Sequence, residues 1–142
     1  MKPNLKRMFA VATLVAASSL TMSFTTSSPS GDKPAGKPWK APENAVKMKN
    51  PAKGADALKE GKDLYMQHCK SCHGAKGKGD GPKAEKIDIS CNDFSKAEFK
   101  TVSDGEMYWK TTEGRKPMPS FKEKLSDNER WAVVLFMRTL AN

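Results

Sequence analysis

Cys69-Lys70-Ser71-Cys72-His73 brings the most reactive side chains of the chain together in one short run. Two cysteines at this spacing present their sulfurs from successive helical turns, within reach of the two vinyl groups of one porphyrin. The histidine that follows directs its imidazole at the iron. Cys-x-x-Cys-His is the attachment spacing of a c-type haem, so Cys69 and Cys72 are the candidate cofactor-binding residues and His73 a candidate iron ligand.

Other chemistries of the same residue types fit less well. A thioredoxin-like redox pair sits at a helix N-terminus after a strand, whereas this pair follows a helical pattern. A zinc site could draw on Cys69, Cys72, Cys91 and one of His68 or His73, but there is no second Cys-x-x-Cys or His-x-His arm. Gly74, Gly77, Gly79 and Gly81 lie in a lysine-bearing loop whose spacing is not that of a phosphate-binding strand–loop–helix unit.

An electron-transfer haem takes a second axial ligand. His68 is five residues before His73, on the same side of the attachment point, and reads as a surface residue at a helix end. Among the methionines beyond the leader, Met66, Met107 and Met137 lie in helical patterns, where methionine usually fills core gaps. Met48 lies in a Pro-rich arm. Met118 stands between Pro117 and Pro119, which exclude regular helix and hold the segment extended. It is the methionine best suited to reach the far face of a haem.

The elements that must position these residues are helical. Leu58, Gly61, Leu64 and Tyr65 recur at helical spacing over Asp56 to Cys69. Gly61 costs a helix about 1 kcal/mol relative to alanine, and close approach of another backbone is the usual reason for such a glycine. Ser103-Asp-Gly-Glu106 is a capping-box pattern that opens a short helix ending near Gly114. Ser126-Asp-Asn-Glu129 repeats the pattern ahead of the strongest helical run, Trp131 to Leu140. No period-2 run appears, so the fold class is all-α: three main helices separated by long loops, which in a small domain serve function.

The remaining sequence is organised around that domain. Lys2, Lys6 and Arg7, the apolar run Phe9–Ala17 and the small residues to Ser30 follow the order of a secretory signal, with residues 1–26 as the signal peptide. Residues 27–54 form a Pro/Lys-rich arm or linker, in which Trp39 is suited to dock on the domain. Residues 55–142 form the domain itself. The 142-residue chain is 37% hydrophobic and only 8% aromatic, lean for a core of this size unless a cofactor helps to fill it. Its charge of +9 falls by three when the leader is removed. Beyond the leader no apolar run is long enough to span a membrane.

From about Asp56 to Asn142 the chain resembles the small bacterial class I cytochromes c. Gly61 and Tyr65 ahead of Cys69, the Cys-x-x-Cys-His-Gly motif, Gly77-Lys-Gly79-Asp-Gly81-Pro82, Met118-Pro-Ser-Phe121, and Val133 and Phe136 carry the resemblance. It implies a cytochrome c fold wrapped around one covalent haem c, with His73 and Met118 as axial ligands. It also implies that the carbonyl of Pro82 accepts a hydrogen bond from Nδ1 of His73, and that Val133 and Phe136 cross the first helix near Gly61. Cys91 departs from the pattern, standing where related sequences often have proline; it reads as a small buried residue.

These readings converge on a monomeric periplasmic electron carrier without enzymatic activity, or on a haem c subunit of a larger reductase or dehydrogenase complex. Lys70, Lys76, Lys78, Lys83, Lys86, Arg115, Lys116, Lys122 and Lys124 flank the haem-bearing segments, which suits acidic redox protein partners. No aromatic residues interleave these lysines in the manner of a nucleic-acid surface.

Overall fold

The computed structural model describes residues 33–141. The signal peptide expected over residues 1–26 and the first part of the arm lie outside the described residues. Among the described residues five α-helices follow in order: α1 (Glu43–Val46), α2 (Gly54–His68), α3 (Lys70–His73), α4 (Asp104–Glu113) and α5 (Asp127–Arg138). Single 3₁₀ turns stand at Ala84–Lys86 and Ala97–Thr101. No strand occurs among the described residues. The expected all-α fold with long loops is the one observed.

Helix α5 is the hub. Trp131, Ala132, Val133, Val134, Phe136 and Met137 are all buried along it, so it lies inside the domain rather than on it. Its start is secured by a complete capping box: Ser126 accepts from the Glu129 backbone N–H, and the Glu129 carboxylate accepts from the Ser126 N–H. At α4 only half of the expected box forms. Ser103 accepts from Glu106 N–H, but the Glu106 carboxylate is taken by Lys110 one turn on.

Helices α2 and α5 form the main packing pair. A Cβ on Gly61 would lie 1.9 Å from the Ala132 carbonyl oxygen and 3.1 Å from the Val133 nitrogen. The two backbones touch there, which is why an otherwise helix-weakening glycine is present. Beside the crossing, Tyr65 packs against Phe136 with ring centres 5.2 Å apart. Helix α4 is joined to α5 by the Tyr108–Trp131 stack at 4.0 Å and by Arg138, which bonds Asp104 and the carbonyls of Phe99 and Val102.

The Pro-rich arm differs from expectation in carrying one helical turn, α1. This turn has no capping side chain. It is held by tertiary contact: Ala45 is buried, and a Cβ on Gly105 of α4 would lie 1.9 Å from the Ala45 carbonyl. Asn50 also donates from Nδ2 to the Trp131 carbonyl at 3.0 Å. The described part of the arm therefore docks on the domain.

Candidate haem site

Cys69 is the joint between α2 and α3, serving as the last cap of one and the first of the other. Its N–H donates to the Tyr65 carbonyl at 2.8 Å, and its own carbonyl accepts from Cys72 at 3.1 Å and from His73 at 2.9 Å. Cys69, Cys72 and His73 are thus fixed on one turn of helix, with both sulfur-bearing residues on neighbouring positions of its surface. The turn stops at Gly74, whose buried carbonyl accepts from the Tyr65 hydroxyl at 2.9 Å.

The glycine-rich loop then folds back on the same turn. Gly79 N–H donates to the His73 carbonyl at 2.9 Å, Gly81 N–H to Cys72 at 3.2 Å and Lys83 N–H to Ser71 at 2.7 Å. A Cβ on Gly81 would lie 2.5 Å from the carbonyl oxygens of both Lys70 and Ser71, so only glycine allows the return. The loop has a backbone purpose, clamping the Cys-x-x-Cys-His turn.

His73 stacks on Phe94 with ring centres 4.6 Å apart and planes 23° from parallel, and Phe94 in turn packs on Phe99 at 4.7 Å. Burial pushes the His73 pKa below its ordinary value, with the Asn92 backbone acting in the opposite direction. The imidazole is therefore neutral at pH 7 and has a lone pair to give to a metal. Nδ1 is buried without a hydrogen-bond partner. The expected bond to the Pro82 carbonyl is not made: Pro82 is exposed, whereas Nδ1 is enclosed.

Cys69, Cys72, His73 and Met118 all line one cavity of about 1080 Å³, together with Ile87, Ile89, Phe99, Val102 and Phe121. Lys37, Lys78, Lys96, Lys110 and Arg115 lie among its walls, outnumbering Asp80, Asp93 and Glu98. A flat apolar macrocycle bearing two carboxylates matches that lining, and a neutral, enclosed imidazole at its edge suits a ligand histidine. The residues present fit a haem. Burial, helped by the neighbouring Cys72, pushes the Cys69 thiol up to about 12, which keeps it in the protonated S–H form.

Met118 sits in a non-helical loop, half-buried, its backbone closed on Arg115 by a reciprocal pair at 2.9 and 2.8 Å. The loop is tied to α4 by Ser120 Oγ donating to the Thr112 carbonyl at 2.7 Å and Phe121 N–H donating to Thr111 at 3.2 Å. Buried Arg130 donates to the carbonyls of Lys122 at 2.9 Å and Leu125, which secures the segment just beyond it.

Two other expectations are corrected. His68 is half-buried, not a surface residue; it packs edge-on against Phe121 at 5.9 Å and lines the cavity. Cys91 is only partly buried and also lines the cavity. No grouping of three or more His, Cys, Asp or Glu side chains among the described residues could hold a metal ion, so the zinc alternative is not assembled. Sequence reasoning missed Phe94, Ile87 and Ile89 because they lie in irregular segments with no periodic signal.

Residues 58–141, more than half of the chain, match the Cytochrome c family model. No curated protein matches the sequence. Among solved structures, the chain is 31% identical to a component of the Kuenenia stuttgartiensis reducing HAO-like protein complex Kustc0457/Kustc0458. That match has a TM-score of 0.60 and covers 68% of this chain and 49% of the other. This chain therefore spans about half the length of that relative. It is also 34% identical to the KustC0563 c-type cytochrome, with a TM-score of 0.51 over 58% of this chain and 98% of that one. The helical frame, the Cys-x-x-Cys-His turn at a haem-sized cavity and the family match together place this chain in the cytochrome c family, with a covalently bound haem c and a role in electron transfer.

Proposed function

We propose that the chain is a single-haem electron carrier exported to the periplasm, with residues 1–26 as its export signal, residues 27–54 as an arm and residues 55–142 as the haem domain. Cys69 and Cys72 would hold the haem through two thioethers, each S–H being the group that would add across one vinyl. His73 and Met118 would be the two side chains that ligate its iron. The observation that carries this reading is the lining of one cavity by all four residues. When bound, the iron takes up and releases one electron.

The protein's own part is to bind and to exclude. Phe94 and Phe99 hold the imidazole plane, the neutral ring offers its lone pair, and the apolar walls keep water from the metal. With His73 and Met118 both ligating, no coordination site would remain for a substrate, which supports transfer rather than catalysis. Thioether sulfur as the distal ligand raises the reduction potential. The basic segments around the cavity support an acidic redox partner.

Absorbance tests the reading. Met118→Ala should retain the haem through denaturation yet lose the weak sulfur-to-iron charge-transfer band of the ferric protein, and carbon monoxide should then bind the ferrous form readily. A variant with the parent spectrum would assign the distal ligand elsewhere. The second reading, a haem c subunit of a larger assembly, is favoured by the likeness to a component of a complex. Mass measurement of the protein after gentle extraction separates the two, since a carrier runs as a free monomer.

A further inference from the structure

The arm that precedes the family-matched segment contributes to the wall of the haem cavity, and its contacts converge on the Met118 loop. Arg115 is the meeting point. Its backbone pairs reciprocally with Met118. Its guanidinium lies 4.8 Å from the centre of the Trp39 ring, and Nη1 donates to the Pro38 carbonyl at 3.3 Å.

Trp39 is fixed in turn by Trp109 of α4, at 6.0 Å between ring centres, and by Lys110, whose Nζ lies 5.7 Å from the ring. Six residues earlier, Lys33 Nζ donates to the carbonyls of Ala84, Glu85 and Ile87, each at 2.7 Å. The Pro34 carbonyl accepts from Ser90 N–H at 3.1 Å. Between these anchors Gly36 passes so close that a Cβ would lie 3.2 Å from Ile89 Cδ1 and 3.5 Å from Arg115 Nη2. Residues 33–39 therefore bridge two loops, 84–90 and 115–118, on the cavity wall.

We propose that residues 33–39 are a strap across the haem cavity and that Trp39 is a positioning residue for Met118, acting through Arg115. The proposal rests on Met118 being the distal ligand. A methionine–iron bond competes with any added ligand, and the apparent affinity of that ligand scales with the fraction of molecules in which methionine is off. Trp39 and the Pro38 carbonyl restrain Arg115, and Arg115 restrains the loop through backbone bonds. Releasing the stack should raise the methionine-off fraction about tenfold, equivalent to about 1.4 kcal/mol.

The test is imidazole titration of the full-length, haem-loaded ferric protein, followed in the Soret and sulfur charge-transfer bands. Trp39→Ala should bind imidazole about tenfold more tightly than the parent. Trp39→Phe, which keeps a ring for the guanidinium, should restore most of the parent's resistance. Arg115→Gln removes the cation while the Lys33 clip remains, and should match Trp39→Ala; it decides the matter if the tryptophan variant does not load haem. Asn50→Ala frees the other end of the arm from Trp131 and should leave affinity unchanged. Parent-like affinity in Trp39→Ala and Arg115→Gln, or an equal rise in Asn50→Ala, would overturn the strap. In that case Met118→Ala would still open the site. A parent that lacks the sulfur band and binds imidazole as freely as Met118→Ala would instead overturn the ligand assignment and the strap with it.

Discussion

Replacing Gly61 by alanine places a methyl carbon 1.9 Å from the Ala132 carbonyl oxygen. A carbon and an oxygen in ordinary contact need well over 3 Å, so α2 and α5 must part by more than an ångström. Both clashing groups are backbone or fixed to it, and no side-chain rotamer relieves them. Overpacking of a close-packed site costs about 1–3 kcal/mol, and a rigid backbone contact belongs at the upper end. Alanine returns about 1 kcal/mol of helix propensity. The net loss is about 2 kcal/mol, or a fall of about 8–16 °C in Tm at the 4–8 °C per kcal/mol usual for a domain of this size. Gly61→Val adds two methyls and loses the propensity gain, so it should fall further. Guanidinium melts of the haem-loaded protein, read by far-UV circular dichroism and by haem absorbance, measure the loss. An alanine variant as stable as the parent would show that the helices do not meet backbone to backbone, and the derived crossing would be wrong.

Tyr65→Phe removes one of two donors to the buried Gly74 carbonyl, which keeps the Gly77 N–H at 3.2 Å, and should cost about 0.5–1.5 kcal/mol, measured by the same melts. Burial raises the Tyr65 pKa far above its usual value, so in the parent no phenolate absorbance should develop at pH values where free tyrosine ionises. If Cys69 and Cys72 are both thioethers, as proposed, the haem-loaded protein should show one reactive thiol per chain when unfolded; two would mean a single attachment. In the native state that thiol, Cys91, should react more slowly at pH 8 than free cysteine, since burial raises its pKa and lowers its thiolate fraction. Lys70, Lys76, Lys78, Lys83, Lys86, Lys116, Lys122 and Lys124 are exposed. Electron exchange with a small anionic reagent such as ferrocyanide should therefore slow as salt shortens the screening length to about 8–10 Å, and a flat profile would remove the basic rim as a steering device.

The cytochrome c reading was legible in the sequence because its signals are local. Attachment of a haem demands two sulfurs and an imidazole within one helical turn, and five consecutive residues carry that information. The caps at Ser103 and Ser126 are equally local, and both form. Met118 stood out because two flanking prolines exclude helix around it, and Gly61 because a glycine inside a helix needs a reason that lies in a partner. Which backbone meets Gly61 was only implied by resemblance; the packing supplied Ala132. The tertiary structure alone decided the rest. The turn α1 has neither caps nor an apolar period, and exists because Ala45 fits over Gly105. Phe94 lies under His73 because the Gly77 carbonyl accepts from the Phe94 N–H at 2.6 Å, a pairing that no pattern announces. The Pro82 bond expected by resemblance fails because a carbonyl's direction depends on how its loop closes. Trp39 could be suspected of docking, but its partner Arg115 lies 76 positions away. Contacts at such separations are set by how helices cross and loops return, and a residue's own neighbours in sequence carry no trace of them.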